Sequence, residues 1–188
     1  MDKNIKASFD NSAGNSGERP DSVTDQSIVL VGLMGVGKTT VGRRLAKQLG
    51  LGFVDADEEI EQAAGLTVEE IFDRFGEDYF RDGERRVIAR LIEGKRQVIA
   101  TGGGAFMNEE TRALILQKAV AIWLDADIDT LVKRVSRRNT RPLLKSGDPA
   151  TILADLATKR NPVYATAHIH IMGNDSPHEI TVEKIIEA

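Results

Sequence analysis

The chain has 188 residues, of which 41% are hydrophobic and 29% charged, with a net charge of −4. That length suits one domain plus a tail and can bury a core without covalent staples. The absence of cysteine excludes disulfides, thiolate metal sites and a cysteine nucleophile. The mildly acidic balance gives no reason to expect nucleic-acid binding, no apolar run is long enough for a membrane span, and the N-terminus has no apolar signal-peptide core, so the expected location is cytoplasmic.

Residues 1–25 are rich in Asp, Asn, Ser and Gly, with Ile5, Phe9 and Val23 isolated among them. Such a stretch buries too little apolar surface to offset its ordering entropy, so it reads as a disordered tail ahead of a domain at 26–188. Residues 28–31, Ile-Val-Leu-Val, read as a buried strand. Gly32-Leu33-Met34-Gly35-Val36-Gly37-Lys38-Thr39 follows, and it fits the phosphate-binding pattern G-x-x-x-x-G-K-[ST]. Residues 40–49 then read as a helix with Val41, Leu45 and Leu49 on one stripe. In that strand–loop–helix context, backbone N–H groups curl around an anion at a helix N-terminus. Lys38 reaches the outer phosphates and Thr39 offers a hydroxyl to Mg²⁺.

Phe53-Val54 is a short strand ending in Asp55-Ala56-Asp57, and residues 58–64 form a helix closed by Gly65. Thr67-Val68-Glu69-Glu70 is a capping box opening a helix to about Phe75, and residues 77–93 carry Phe80, Val87, Ile88, Leu91 and Ile92 at helical spacing. Residues 98–100 form a strand running into Gly102-Gly103-Gly104. A helix at 109–117, a strand at 120–124 and a helix marked by Ile128, Leu131, Val132 and Val135 come next. Residues 139–149 are basic and turn-rich. Residues 150–160 are helical up to Asn161-Pro162, which stops or kinks the helix; 169–172 form the last strand, and Ser176-Pro177 caps a final helix.

Strands alternating with helices imply an α/β fold with a parallel sheet covered on both faces, whose ligands sit beyond the C-terminal strand ends. Three of those ends carry unusual residues: the phosphate loop, Asp55-Ala56-Asp57, and Gly102-Gly103-Gly104. Asp57 either faces a substrate or caps the following helix, and Asp55 lies near a metal held by Thr39. Asp125, after an apolar strand, competes with Asp55 for that metal, although a helix cap around 125–127 is the stronger reading. The glycine run allows a backbone to approach a ligand closely. Arg81 and Glu84 are spaced to pair on one helix face, either as a surface salt bridge or with the guanidinium oriented toward a substrate carboxylate. The cations around Thr140-Arg141-Pro142-Leu143-Leu144 suit either a bound polyanion or a solvated charge cluster. His168 and His170 alternate on a strand with no partner acids at metal spacing and read as structural.

The ordered set G-x-x-G-x-G-K-T, D-x-D, F-R-x-x-E, G-G-G, R-P-L-L and K-R-x-P-x-Y resembles shikimate kinase from about residue 27 to the C-terminus. The resemblance implies a three-layer P-loop kinase fold with a five-stranded parallel sheet and a mobile lid at about 139–149. It places a substrate-binding subdomain at about 61–84. It also implies Mg²⁺-dependent transfer of the ATP γ-phosphate to the 3-hydroxyl of shikimate. By motif, Gly35, Val36, Gly37, Lys38, Thr39 and Thr40 would hold the ATP phosphates, with Thr39 on Mg²⁺ and Asp55 in the metal's outer shell. Lys38, Asp57 and Arg141 would be catalytic, and Arg134 and Arg141 would also contact ATP. Asp57, Gly102, Gly103, Gly104, Arg81 and Arg160 would hold shikimate, with Glu84 orienting Arg81. The expected state is a monomer with a small-molecule substrate. One departure is the lack, at 173–177, of the arginine that many members carry after the last strand. A gluconate kinase and a nucleotide-dependent switch protein are the alternatives; the latter leaves Asp57, Arg81 and Arg160 without a purpose.

Overall fold

A computed structural model describes residues 25–136, 147–173 and 177–188. The tail up to residue 24, Arg141 with most of the basic stretch, and Ser176 lie outside the described residues. Five strands, β1 (Ile28–Val31), β2 (Gly52–Asp55), β3 (Gln97–Ala100), β4 (Val120–Ala126) and β5 (Ile169–Gly173), form one sheet in the order β2-β3-β1-β4-β5. Every pairing is parallel. The middle strands are continuous apolar runs because helices cover the sheet: Val29 to Val31, Val98 to Ala100 and Val120 to Leu124 are all buried. Burying one such Val, Leu or Ile contributes about 1.5–3 kcal/mol.

The helices are α1 (Lys38–Leu49), α2 (Ala56–Ala64), α3 (Val68–Glu93), α4 (Glu109–Lys118), α5 (Ile128–Ser136), α6 (Pro149–Tyr164) and α7 (His178–Glu187). α1 packs over β3 and against α7, and α4 packs on β4 and against α3. The chain leaves β1 for β2, returns to β3 between them, and then crosses to β4 on the other side of β1. The strand order therefore reverses beside β1, where α/β sheets bind ligands. The phosphate loop and the glycine run emerge side by side there, tied by Thr101, whose N–H and Oγ1 both donate to the Leu30 carbonyl, at 3.2 and 2.9 Å.

Two local readings change. Asp55, not Asp57, caps α2: its Oδ1 accepts from the Asp57 N–H at 3.1 Å, which puts Asp57 inside the first turn. The capping-box helix and the following one meet where the sequence places the break, at Gly76, whose φ of 82° and ψ of 176° are non-helical inside α3, and the box is formed as expected at Thr67 and Glu70. α6 runs past Pro162 to Tyr164. A second, small apolar cluster of Ile60, Ile71 and Phe80 links α2 to α3, and the Phe72 and Phe80 rings lie 4.6 Å apart within it.

Candidate active site

The loop between β1 and α1 curls because Gly37 adopts φ 102° at the N-cap of α1, a conformation that side chains with a Cβ resist. Its first-turn donors then point toward the loop mouth, where an anion gains from the helix dipole. Lys38 Nζ donates to the Gly32 and Leu33 carbonyls at 2.7 and 3.0 Å, so the ammonium is folded back across the loop. Held by neutral carbonyls, it can exchange one of them for a phosphate oxygen. Gly35 packs against α5, where a Cβ would stand 2.7 Å from Val135 Cγ1, and Arg134 on the same helix donates to the Val36 carbonyl at 3.2 Å. Thr40 lies next to Thr39 in the first turn of α1.

Thr39 Oγ1 donates to Asp55 Oδ2 at 2.8 Å. A hydroxyl and a carboxylate side by side at a phosphate-binding helix start are hard oxygen donors, the set Mg²⁺ takes together with substrate phosphates and water. Among the described residues, no cluster of three or more His, Asp or Glu side chains could cage a metal by protein ligands alone. Asp125 does not compete for this position: its carboxylate accepts from the Ala126 N–H at 2.9 Å and pairs with His170 Nε2 at 3.2 Å. The cap of α5 is Asp127, through Thr130. His168 Nδ1 accepts from the Ala121 N–H at 3.0 Å, so both strand histidines are structural.

The glycine run is where the acceptor-side residues meet. A Cβ on Gly102 would stand 2.7 Å from Asp57 Oδ1 and 3.2 Å from Glu84 Oε1. On Gly103 it would stand 3.3 Å from Arg160 Nη1, and on Gly104 2.8 Å from Arg81 Cζ. Each glycine thus makes room for one or two charged side chains, which explains three in succession. Arg160 Nη1 and the Tyr164 hydroxyl both donate to the Gly103 carbonyl, at 3.0 and 2.5 Å. Two residues four apart reach one carbonyl only from one helix face, so α6 must continue through Pro162. Arg81, Arg160 and Gly104 line a cleft of about 260 Å³ together with Glu77, Asp78, Met107 and Asn108. Asp57 is not in that lining; it lies half-buried beside Gly102.

The electrostatics follow from burial. Desolvation, reinforced by Asp55, pushes the Asp57 carboxyl up to about 6 against the pull of Lys38 and Arg81. Burial likewise raises Glu84, whose side chain is 1% exposed; Arg81 opposes this through a 2.6 Å ion pair, and Asp57 adds to it. Glu84 Oε1, on the Asp57 side, is buried without a hydrogen-bond partner. Burial works against the charge of Arg81, but Glu84 and Glu77 outweigh it and hold the guanidinium above its ordinary value.

The family model described as shikimate kinase matches residues 34–188. The chain belongs to the shikimate kinase family. It is therefore a kinase, and the family uses ATP. A shikimate kinase from Caulobacter vibrioides is 58% identical over 163 residues, covering 87% of this chain and 82% of that one. One from Bradyrhizobium diazoefficiens is 60% identical over 162 residues, covering 86% and 78%. The solved shikimate kinase from Acinetobacter baumannii in complex with shikimate superposes with a TM-score of 0.83 at 39% identity, covering 87% of this chain and 92% of that one. The five-stranded parallel sheet expected from the sequence is the fold of this family.

Two residues of this candidate site carried no assigned role in the sequence. Tyr164 holds the Gly103 carbonyl, and its place in K-R-x-P-x-Y, four after Arg160, was the signal. Glu77 accepts from Arg81 Nε and Nη2, and its spacing of four from Arg81 was the signal. No helix among the described residues is long and apolar enough to cross a membrane.

Proposed function

We propose that the chain transfers the γ-phosphate of Mg·ATP to the 3-hydroxyl of shikimate, with Lys38 and Thr39 on the phosphate side and Asp57, Arg81 and Arg160 on the acceptor side. The observation that carries this reading is the convergence of two arginines, Asp57 and Glu84 on the Gly102–Gly104 run beside the phosphate loop. Shikimate has one carboxylate and three hydroxyls. Two guanidiniums suit the first, and buried carboxylate oxygens with backbone donors suit the others.

In this reading Arg81 and Arg160 anchor the acceptor carboxylate, and each keeps N–H donors beyond those its protein partners take. Asp57 accepts from the reacting hydroxyl, orienting it toward the phosphate loop. With its pKa at about 6 it is mostly ionised at neutral pH and can hold the released proton. Glu84 Oε1 offers a further acceptor for a hydroxyl. Mg²⁺, when bound, neutralises charge on the transferring phosphoryl group, and Thr39 and Asp55 are the side chains placed to hold it. Lys38 supplies a second positive charge at the same place. Phosphoryl transfer asks chiefly for such positioning and neutralisation.

The proposal extends to the parts around the site. Residues 26–188 form the kinase domain, and about 61–84 form its acceptor subdomain, a division supported by the separate Ile60, Ile71, Phe80 cluster. Residues 139–149 serve as a lid carrying Arg141 to the ATP phosphates, Arg134 stacks on adenine, and the enzyme acts as a cytoplasmic monomer. The test is product analysis by ³¹P and ¹H nuclear magnetic resonance. Phosphate on the 3-hydroxyl, lost when EDTA removes Mg²⁺, supports the reading; phosphate on another hydroxyl, or turnover in EDTA, overturns it.

A further inference from the structure

Arg81 carries two carboxylates of opposite character. Glu84 is 1% exposed and takes Nη1 at 2.6 Å, and nothing in the cleft can displace a buried partner so close. Glu77 is 65% exposed and its Oε1 takes both Nε and Nη2, at 3.3 and 3.2 Å. The Nε–Nη2 edge is the side-on fork by which a guanidinium holds a carboxylate with two parallel bonds. Glu77 also lines the cleft beside Arg81 and Arg160. The edge of Arg81 left by Glu84 is thus already held by a carboxylate belonging to the protein.

We propose that Glu77 is a resident competitor for the acceptor carboxylate, holding the outer edge of Arg81 in the unliganded enzyme and yielding it when the substrate binds. This rests on the reading that Arg81 grips the acceptor. The exposure of Glu77 makes the exchange easy: an exposed ion pair contributes little, so a bound carboxylate with two arginines displaces it. The fold supplies the movement, because Glu77 directly follows Gly76, where φ of 82° interrupts α3. Glu77 can swing away there without unwinding the turn that carries Arg81 and Glu84. The contact has two consequences. It keeps the arginine pointed into the cleft before substrate arrives, and it sets a threshold that a weakly binding anion does not cross.

Asp78 provides the control, since it lines the same cleft with the same charge while the ion pairs of Arg81 go to Glu77 and Glu84. Shikimate affinity is measured by calorimetry for the wild type, Glu77→Ala, Asp78→Asn and Arg81→Ala, with folding checked by circular dichroism. Glu77→Ala is expected to tighten shikimate binding about two- to five-fold, the range an exposed ion pair carries, with Asp78→Asn unchanged. Unchanged or weaker binding in Glu77→Ala, or an equal gain in Asp78→Asn, overturns the proposal. Retained shikimate binding in Arg81→Ala would instead overturn the underlying assignment of Arg81.

Discussion

Replacing Asp57 by Asn should make the protein more stable and nearly inactive. The carboxyl rises from 3.8 to about 6 in the folded state because it is buried beside Asp55. A carboxyl raised on folding favours the native state below its unfolded value of 3.8, and that advantage is lost as pH climbs through about 6. Above pH 6 the ionised side chain therefore costs on the order of 3 kcal/mol relative to the unfolded chain. Glu84 shares the same buried space and takes part of that effect, so about 1–3 kcal/mol is expected for Asp57 alone. The amide keeps the shape and removes the charge. At pH 8 Asp57→Asn should melt about 3–9 °C above the wild type, a gain that shrinks toward zero near pH 4. Its kcat should fall about 10²–10⁴-fold if Asp57 takes the hydroxyl proton. Thermal melts at pH 4, 6 and 8 read the first effect, and ADP release reads the second. A variant no more stable than the wild type at pH 8, or equally stabilised at pH 4, would refute the electrostatic account.

Further outcomes follow from the site. Lys38→Met should lower kcat about 10²–10³-fold with an unchanged circular dichroism spectrum, since it removes one cation from the phosphate site; near-normal turnover would remove its role. Gly102→Ala places a Cβ 2.7 Å from Asp57 Oδ1 and should raise the KM for shikimate while leaving that for ATP alone, as steady-state kinetics with each substrate varied will show. Arg81→Ala should weaken shikimate binding about 10- to 150-fold, the range of a charged hydrogen bond, with ADP affinity retained in calorimetry. Arg141→Ala should lower kcat; a change confined to the shikimate KM would contradict its placement on the ATP side.

The features most legible in the sequence were those with a local cause. The phosphate loop declares itself because its glycines and lysine act through backbone geometry within eight residues. The capping box at Thr67 and the break at Gly76 are likewise local. What sequence left open depended on contacts between distant segments. The sequence offered Asp57 as the cap of α2, but Asp55 takes that place, held at the strand end by Thr39, sixteen residues earlier. The continuation of α6 through Pro162 serves the Gly103 carbonyl, which Arg160 and Tyr164 must reach together from more than fifty residues away. Asp125 resembled a metal ligand by position, yet its partner His170 lies on the neighbouring strand, where only the sheet register brings them together. The glycine run was recognisable as a close approach, but which side chains approach it was not.

The most direct test of the central claim is ADP release by the purified protein with Mg·ATP and, in turn, shikimate, quinate, gluconate or no acceptor. The account predicts rapid turnover with shikimate and background rates with the others. Turnover with gluconate, or ATP consumption independent of any acceptor, would leave the phosphate loop in place and contradict the assignment of Asp57, Arg81 and Arg160 to shikimate.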